Sequence, residues 1–130
     1  MRLQFVFRFG LLLFFTAILV ACSQKAKIGG ETVEAYLQAL VSGDRDRMLT
    51  LSCSDYEEDA ILELDSFQGV KPSLDNVVCE QTGSDGDMIL VQCTGKILAT
   101  YGNELQEFDL SGQTYRVAQE GQEWVVCGRE

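Results

Sequence analysis

The chain has 130 residues, of which twenty are acidic, ten are basic and none is histidine, giving a formal net charge of −10. This length fits one domain. A surface with such an excess of acid repels phosphate backbones, so nucleic acid is excluded as an expected partner. Without histidine, no side chain has an unperturbed pKa between 5 and 8, and a simple pH switch is not expected.

The N-terminal segment has the layout of an export signal. Arg2 and Arg8 give it a basic start, and residues 9–21 form an apolar run of thirteen residues that ends in small side chains. A membrane-spanning helix needs about 20 apolar residues, so this run is too short for a plain anchor. The four residues Leu19-Val20-Ala21-Cys22 resemble the lipobox of bacterial lipoproteins.

The lipobox resemblance implies cleavage before Cys22, diacylglycerol on its sulfur and a fatty acid on its new amine. The chain is therefore expected to divide into a signal peptide (1–21), a short polar tether (22–30) and one domain (31–130). The first expected partner is the bacterial cell membrane, bound through lipidated Cys22, with the domain outside the cytoplasm. Ser23 is typical of lipoproteins that continue to the outer membrane, in bacteria that have one.

The start of the domain has the 3.6-residue period of helices. Residues 31–42 carry an apolar stripe at that period, and Gly43 is placed to end this first helix. Asp44 can then cap a short second helix that runs to about Leu51.

A third helix is predicted from Ser54 to about Phe67, because Ser54 and Glu57 have the spacing of a capping box. Acidic side chains crowd this helix, and they are interpreted as a solvated face. They are Asp55, Glu57, Glu58, Asp59, Glu63 and Asp65.

From Leu74 onward the apolar period changes to 2, which is typical of strands. Two strands flank a turn at Asp85-Gly86-Asp87. A third strand is predicted over residues 104–118, with a bulge at Gly112 where the apolar phase changes, and a last one over residues 123–128. The short connections predict an α+β fold with three N-terminal helices packed on a four-stranded antiparallel meander sheet.

This layout resembles the NTF2-like (cystatin-like α+β) superfamily, in particular small bacterial lipoproteins that carry such a domain. The resemblance rests on Tyr36-Leu37-Gln38-Ala39-Leu40 followed by Gly43-Asp44, and it covers about Glu31 to Gly128. It implies a bent sheet that wraps around the helices and leaves a cone, which some members use as a pocket. Enzymes of the superfamily generally use Asp and His in that cone, and this chain has no His.

Four cysteines remain in the domain: Cys53, Cys79, Cys93 and Cys127. They lack the close pairs of zinc sites, so two disulfides are expected in an oxidising compartment. A meander that turns near Gly86 sets Cys79 opposite Cys93 and puts Cys93 two strands, ~10 Å, from Cys127. The preferred pairing is Cys79–Cys93 with Cys53–Cys127. A shift of one residue in the turn favours Cys53–Cys79 with Cys93–Cys127 instead.

No motif assigns a catalytic residue, a metal or a cofactor. Asp85-Gly86-Asp87 supplies oxygen ligands but lacks the rest of a calcium-binding loop. Aromatic residues at apolar positions are assigned either to a pocket or to the core. They are Tyr36, Tyr56, Phe67, Phe108, Tyr115 and Trp124.

These observations predict a non-catalytic binding or accessory module of the cell envelope, with a small apolar ligand or an envelope protein as its partner. Small-molecule or calcium binding, and a carboxylate-dependent enzyme that uses the cone, are the alternatives. A cavity of several hundred Å³ would favour ligand binding over a purely accessory role.

We expect the mature protein to begin at lipidated Cys22 and to partition with membranes, because stable anchoring follows from two or more acyl chains. Mass spectrometry of the N-terminal peptide measures this directly, and the Cys22→Ser variant should lose membrane partition. An unmodified Cys22, or residues 1–21 retained on the mature protein, would contradict the expectation.

Overall fold

The structure, a computed structural model, describes the backbone of residues 17–130 and the side chains of residues 27–130. The predicted signal peptide through residue 16, and the side chain of Cys22, lie outside this description. Among the described residues, no helix is both long and apolar enough to cross a membrane.

Within residues 17–130, three helices precede a five-stranded antiparallel sheet, so the predicted α+β class is confirmed. The helices are α1 (Ala17–Ser42), α2 (Arg45–Thr50) and α3 (Glu57–Ser66). The strands are β1 (Ser73–Asp85), β2 (Met88–Tyr101), β3 (Glu104–Asp109), β4 (Thr114–Glu120) and β5 (Glu123–Arg129). The predicted count of four strands was wrong, because the expected third strand is divided into β3 and β4.

The predicted cap of α2 is confirmed, whereas the predicted cap of α3 is not. Asp44 caps α2 as predicted, since its side chain accepts a hydrogen bond from the Arg47 amide at 3.0 Å. The predicted capping box of α3 was wrong. Ser54 donates its amide and its hydroxyl to Glu120 instead, and the helix begins after Tyr56 without a side-chain cap.

The segment expected to be a polar tether is helical, because α1 continues upstream of the predicted start at residue 31. Gly29 and Gly30 are buried against the sheet rather than forming a loose end. At Gly30 the helix backbone lies so close to β1 that an added Cβ would stand 2.2 Å from the carbonyl oxygen of Cys79. The amide of Cys79 donates to Glu34 of the same helix at 3.0 Å. Helix α1 is therefore fastened to β1 at this strand position.

Strand β2 is the centre of the sheet. It pairs along its length with β1, and its other side is shared by β4 at one end and β3 at the other. Beyond β4 lies β5, whose outer edge is covered by the chain leaving α2, through a bridge between Ser52 and Val126.

Irregular backbone positions lie along one line that crosses the strands of the sheet. On β2 the line passes through Gly95, whose φ of +89° is a backbone conformation that favours glycine. Beside it β1 has a register shift and Asn76 at φ +50°, and an added Cβ at Gly95 would lie 2.5 Å from the Asn76 carbonyl oxygen. On the other side, between β3 and β4, the Leu110 amide donates to the Gly95 carbonyl at 3.1 Å. The predicted bulge at Gly112 is thus a four-residue break, 110–113.

Both preferred disulfides are present and their pairing is confirmed. Cys79 lies directly opposite Cys93 across β1 and β2, so this bond closes the first hairpin. Cys53–Cys127 joins the chain after α2 to the last strand, over a sequence separation of 74. The predicted separation of Cys93 from Cys127 also holds, because β4 lies between their strands.

The close approach at Gly30 generates a stability prediction. We expect Gly30→Ala to lower the free energy of unfolding by about 1–3 kcal/mol, because the new methyl must displace β1. Gly112→Ala is the matched control, since nothing lies within 4 Å of a Cβ there. It should change stability by less than about 0.5 kcal/mol. Urea unfolding followed by Trp124 fluorescence compares the two variants, and equal stabilities would contradict the tight packing of α1.

Candidate functional site

An open cleft of about 620 Å³ lies between α3 and the far half of the sheet. We call it the α3 cleft. Its apolar lining consists of Leu62, Phe67, Ile97, Phe108 and Leu110. Ile97 and Leu110 are buried in its floor, whereas Leu62 and Phe108 stand at its rim with 62% and 38% of their surface exposed.

The cleft exists because the helices cover only part of the sheet. Helix α3 ends at Ser66, and all six residues of β3 are exposed. The half of β2 before Gly95 packs under α1, and Ile89, Val91 and Cys93 are buried there. Past Gly95, the cleft is lined by Ile97 and Tyr101 of β2 and by Phe108 of β3.

Glu63 is the buried acid of this site. Its side chain is only 8% exposed, although α3 is otherwise an acidic surface helix. Tyr36 of α1 donates its hydroxyl to Glu63 Oε2 at 2.7 Å, and Arg129 of β5 donates to Glu63 Oε1 at 2.5 Å. Both carboxylate oxygens are thus engaged, as a buried charge requires.

The tyrosines around Glu63 are held in the neutral form. Burial, and then the charge of Glu63, raise the pKa of Tyr36 and of Tyr115 far above the ordinary value of 10.0. Burial and Glu63 also raise the pKa of Tyr56. These hydroxyls therefore keep their protons to a higher pH than a solvated tyrosine does, and those of Tyr36 and Tyr115 donate to Glu63 and Gln113.

Arg129 is the basic member of the cluster, and its position is fixed from two sides. Its Nη1 donates to Glu63 and, at 3.3 Å, to Gln113 Oε1, which also accepts from the Tyr115 hydroxyl. Burial lowers the pKa of Arg129, but the charge of Glu63 and the neighbouring tyrosines outweigh it and raise the pKa overall. The guanidinium is accordingly a permanent partner of Glu63.

The structure divides the six aromatic residues assigned to pocket or core. Tyr56, Phe67 and Phe108 line the α3 cleft, and the rings of Phe67 and Phe108 meet edge to face at 5.6 Å. Tyr36 and Tyr115 are core residues without exposed surface, their ring centroids 6.3 Å apart.

The sixth aromatic residue, Trp124, is partly buried and packs against the core, and it is not among the residues that line the cleft.

The interpretation of all six acids on the third helix as a solvated face was wrong for Glu63. Its position carried a signal, because Ala60 and Phe67 of the apolar stripe lie three residues before it and four residues after it. An acid on such a stripe is either paired or neutralised. Its partner Arg129, and Gln113, stand on later segments, and no local pattern links them to α3.

The turn considered for calcium has another partner. Asp85 Oδ2 accepts from Arg116 at 2.6 Å, which ties the first hairpin to β4. Among the described side chains, no group of three or more ligating residues is arranged to hold a metal ion.

The α3 cleft combines a polar floor with an aromatic wall. Glu63, Gln113 and Arg129 are held by one another, while Phe67 and Phe108 offer ring surface to a bound molecule. Such a combination of apolar lining and a few fixed polar groups is typical of small-molecule sites. Comparison of the chain with protein-family models, with curated proteins and with solved structures finds no match.

The buried carboxylate generates a second stability prediction. Glu63→Ala should lower the free energy of unfolding by about 2–3 kcal/mol, because it leaves the Tyr36 hydroxyl and the Arg129 guanidinium without their partner. Asp65→Ala on the same helix removes an exposed ion pair with Arg45 and should cost less than about 1 kcal/mol. Urea unfolding of both variants tests this. A similar loss of unfolding free energy in each would show that Glu63 contributes no more to stability than an exposed acid does.

Proposed function

We propose that this protein is an exported lipoprotein whose domain is a non-catalytic binding module that takes a small molecule into the α3 cleft. The observation that carries the proposal is the cleft of about 620 Å³ itself. A purely accessory domain has no need of a preformed cavity, and this volume falls in the range of ligand pockets.

We also propose that the cleft is the cone of an NTF2-like fold. Support comes from the order of the elements, with three helices before a long-stranded antiparallel sheet. The positive φ of Gly95 and the register shift beside it in β1 support it further, because such irregular positions let a sheet bend.

Anchoring through Cys22 gives this cleft an orientation. Helix α1 runs from the proposed lipidation site into the domain, and Cys22 to Gly29 spans about 10 Å of helix. Gly29 lies beside Ile89, near the start of β2, whereas the cleft is built on Ile97 and Tyr101 at its end. The proposed ligand site therefore lies at the end of β2 that is farther from the anchored segment.

The enzyme alternative would need Glu63 to act as the base or nucleophile. Both of its oxygens accept hydrogen bonds, from Tyr36 and from Arg129, and its side chain is 8% exposed. These contacts favour a structural role for Glu63 in the floor of a binding site.

Binding can be tested with the neutral fluorescent probe N-phenyl-1-naphthylamine, whose emission rises in apolar surroundings. We expect the full chain in non-ionic detergent to bind the probe above the level of detergent alone. Phe108→Ala should weaken binding about five- to tenfold, because truncating a lining aromatic removes roughly 1–1.5 kcal/mol of contact.

Leu105→Ala is the matched control for this experiment. Leu105 lies on the same strand, is 56% exposed and does not line the cleft. Its truncation should leave the affinity unchanged. Equal affinities for the wild type and both variants, or no binding by the wild type, would contradict a ligand site in the α3 cleft.

A further inference from the structure

We propose that the α3 cleft selects an organic cation, such as a quaternary or alkyl ammonium group with an apolar substituent. This inference rests on the proposed binding function and names the ligand class for that site. It is carried by two separate properties of the cleft, the chemistry of its rings and the balance of its charges.

Four aromatic rings line the cleft. They are Tyr56 and Phe67 at the two ends of α3, Tyr101 at the end of β2, and Phe108 of β3. The face of an aromatic ring attracts a cation, and several rings around one cavity are a recurring way to bind quaternary ammonium groups. Aliphatic side chains would bind a neutral apolar ligand equally well.

The charges of the lining favour the same class. Among the described residues that line the cleft, one side chain is basic. It is Arg129, and it is already paired with Glu63. Asp59 lies one helical turn before Glu63 on α3, is exposed and lines the cleft. The carboxylates thus exceed the guanidinium by one charge. An anionic ligand would have to compete with Glu63 for Arg129 and approach Asp59.

The remainder of the domain adds to this preference. Residues 22–130 contain twenty acidic and eight basic side chains, a formal net charge of −12. Such a field raises the local concentration of cations and lowers that of anions. Beside the rings, Leu62, Ile97 and Leu110 provide aliphatic surface for an apolar substituent.

The test compares choline with 3,3-dimethylbutan-1-ol, which has the same shape but carbon in place of the charged nitrogen. Amide chemical shifts of the ¹⁵N-labelled full chain in non-ionic detergent report where each probe binds. We expect choline to shift residues of the cleft and to bind about tenfold more tightly than the neutral alcohol, in keeping with cation–π attraction in a partly desolvated site.

Two variants, Asp59→Asn and Asp55→Asn, test whether a carboxylate in the cleft contributes to choline affinity. Asp59→Asn should weaken choline binding about threefold or more, as expected for the loss of a nearby charge at a partly exposed site. Asp55→Asn is the matched control, because Asp55 is exposed but does not line the cleft. Its affinity for choline should match that of the wild type.

Three outcomes would overturn the cation proposal. One is equal or tighter binding of the neutral alcohol, or of acetate, at the cleft residues, which leaves the proposed binding function intact. Another is choline binding that Asp59→Asn and Asp55→Asn weaken equally. The third is the absence of choline-induced shifts in the cleft. The neutral naphthylamine probe decides the binding function independently of all three.

Discussion

One buried carboxylate, that of Glu63, connects the three parts of the domain on which the site depends. It stands on α3 and accepts hydrogen bonds from Tyr36 of α1 and Arg129 of β5. A buried charge is tolerated only where such partners meet it, so the position of each element constrains the other two. This contact holds α3 beside the last strand, and the α3 cleft is lined by α3 on one side and by residues of β2 and β3 on the other.

The rest of the fold gives that contact a rigid frame. At the near end, α1 packs on β1 through Gly30 and Glu34, and the Cys79–Cys93 disulfide closes the first hairpin at the same strand position. At the far end, past Gly95, β2 pairs with β3, all six residues of which are exposed. A packed half and an open half therefore share one long strand, β2. The cleft is a consequence of this division and not of a defect in packing.

Much of the fold could be predicted from local patterns. The α2 cap at Asp44, the hairpin that sets Cys79 opposite Cys93, and hence both disulfides, depend on spacing within a few residues or on one turn. The start of α1 could not be predicted, because Gly29-Gly30 is typical of a flexible segment. Only close packing against β1 explains why glycine is needed inside a helix there. The division of the third strand likewise involves a neighbouring strand, since Leu110 in the break donates to the carbonyl of Gly95 in β2. For the site, half of the assigned aromatic residues line the cleft, while Glu63 and Arg129 were missed because their pairing joins segments 66 residues apart.

The Tyr36 hydroxyl is buried and donates to Glu63, and this contact can be tested by an alkaline titration of tyrosine absorbance near 295 nm. The pKa of Tyr36 is raised above its unfolded value of 10.0 by burial and by Glu63, so its contribution to stability is complete below pH 10 and is lost as the pH rises above it. The Tyr36→Phe variant lacks one tyrosine and so gives a smaller total change in absorbance than the wild type. We expect this difference to occur in the step that accompanies unfolding. If the variant instead lacks absorbance that appears reversibly near pH 10 in the folded protein, Tyr36 is solvated and the account of the Glu63 cluster is wrong.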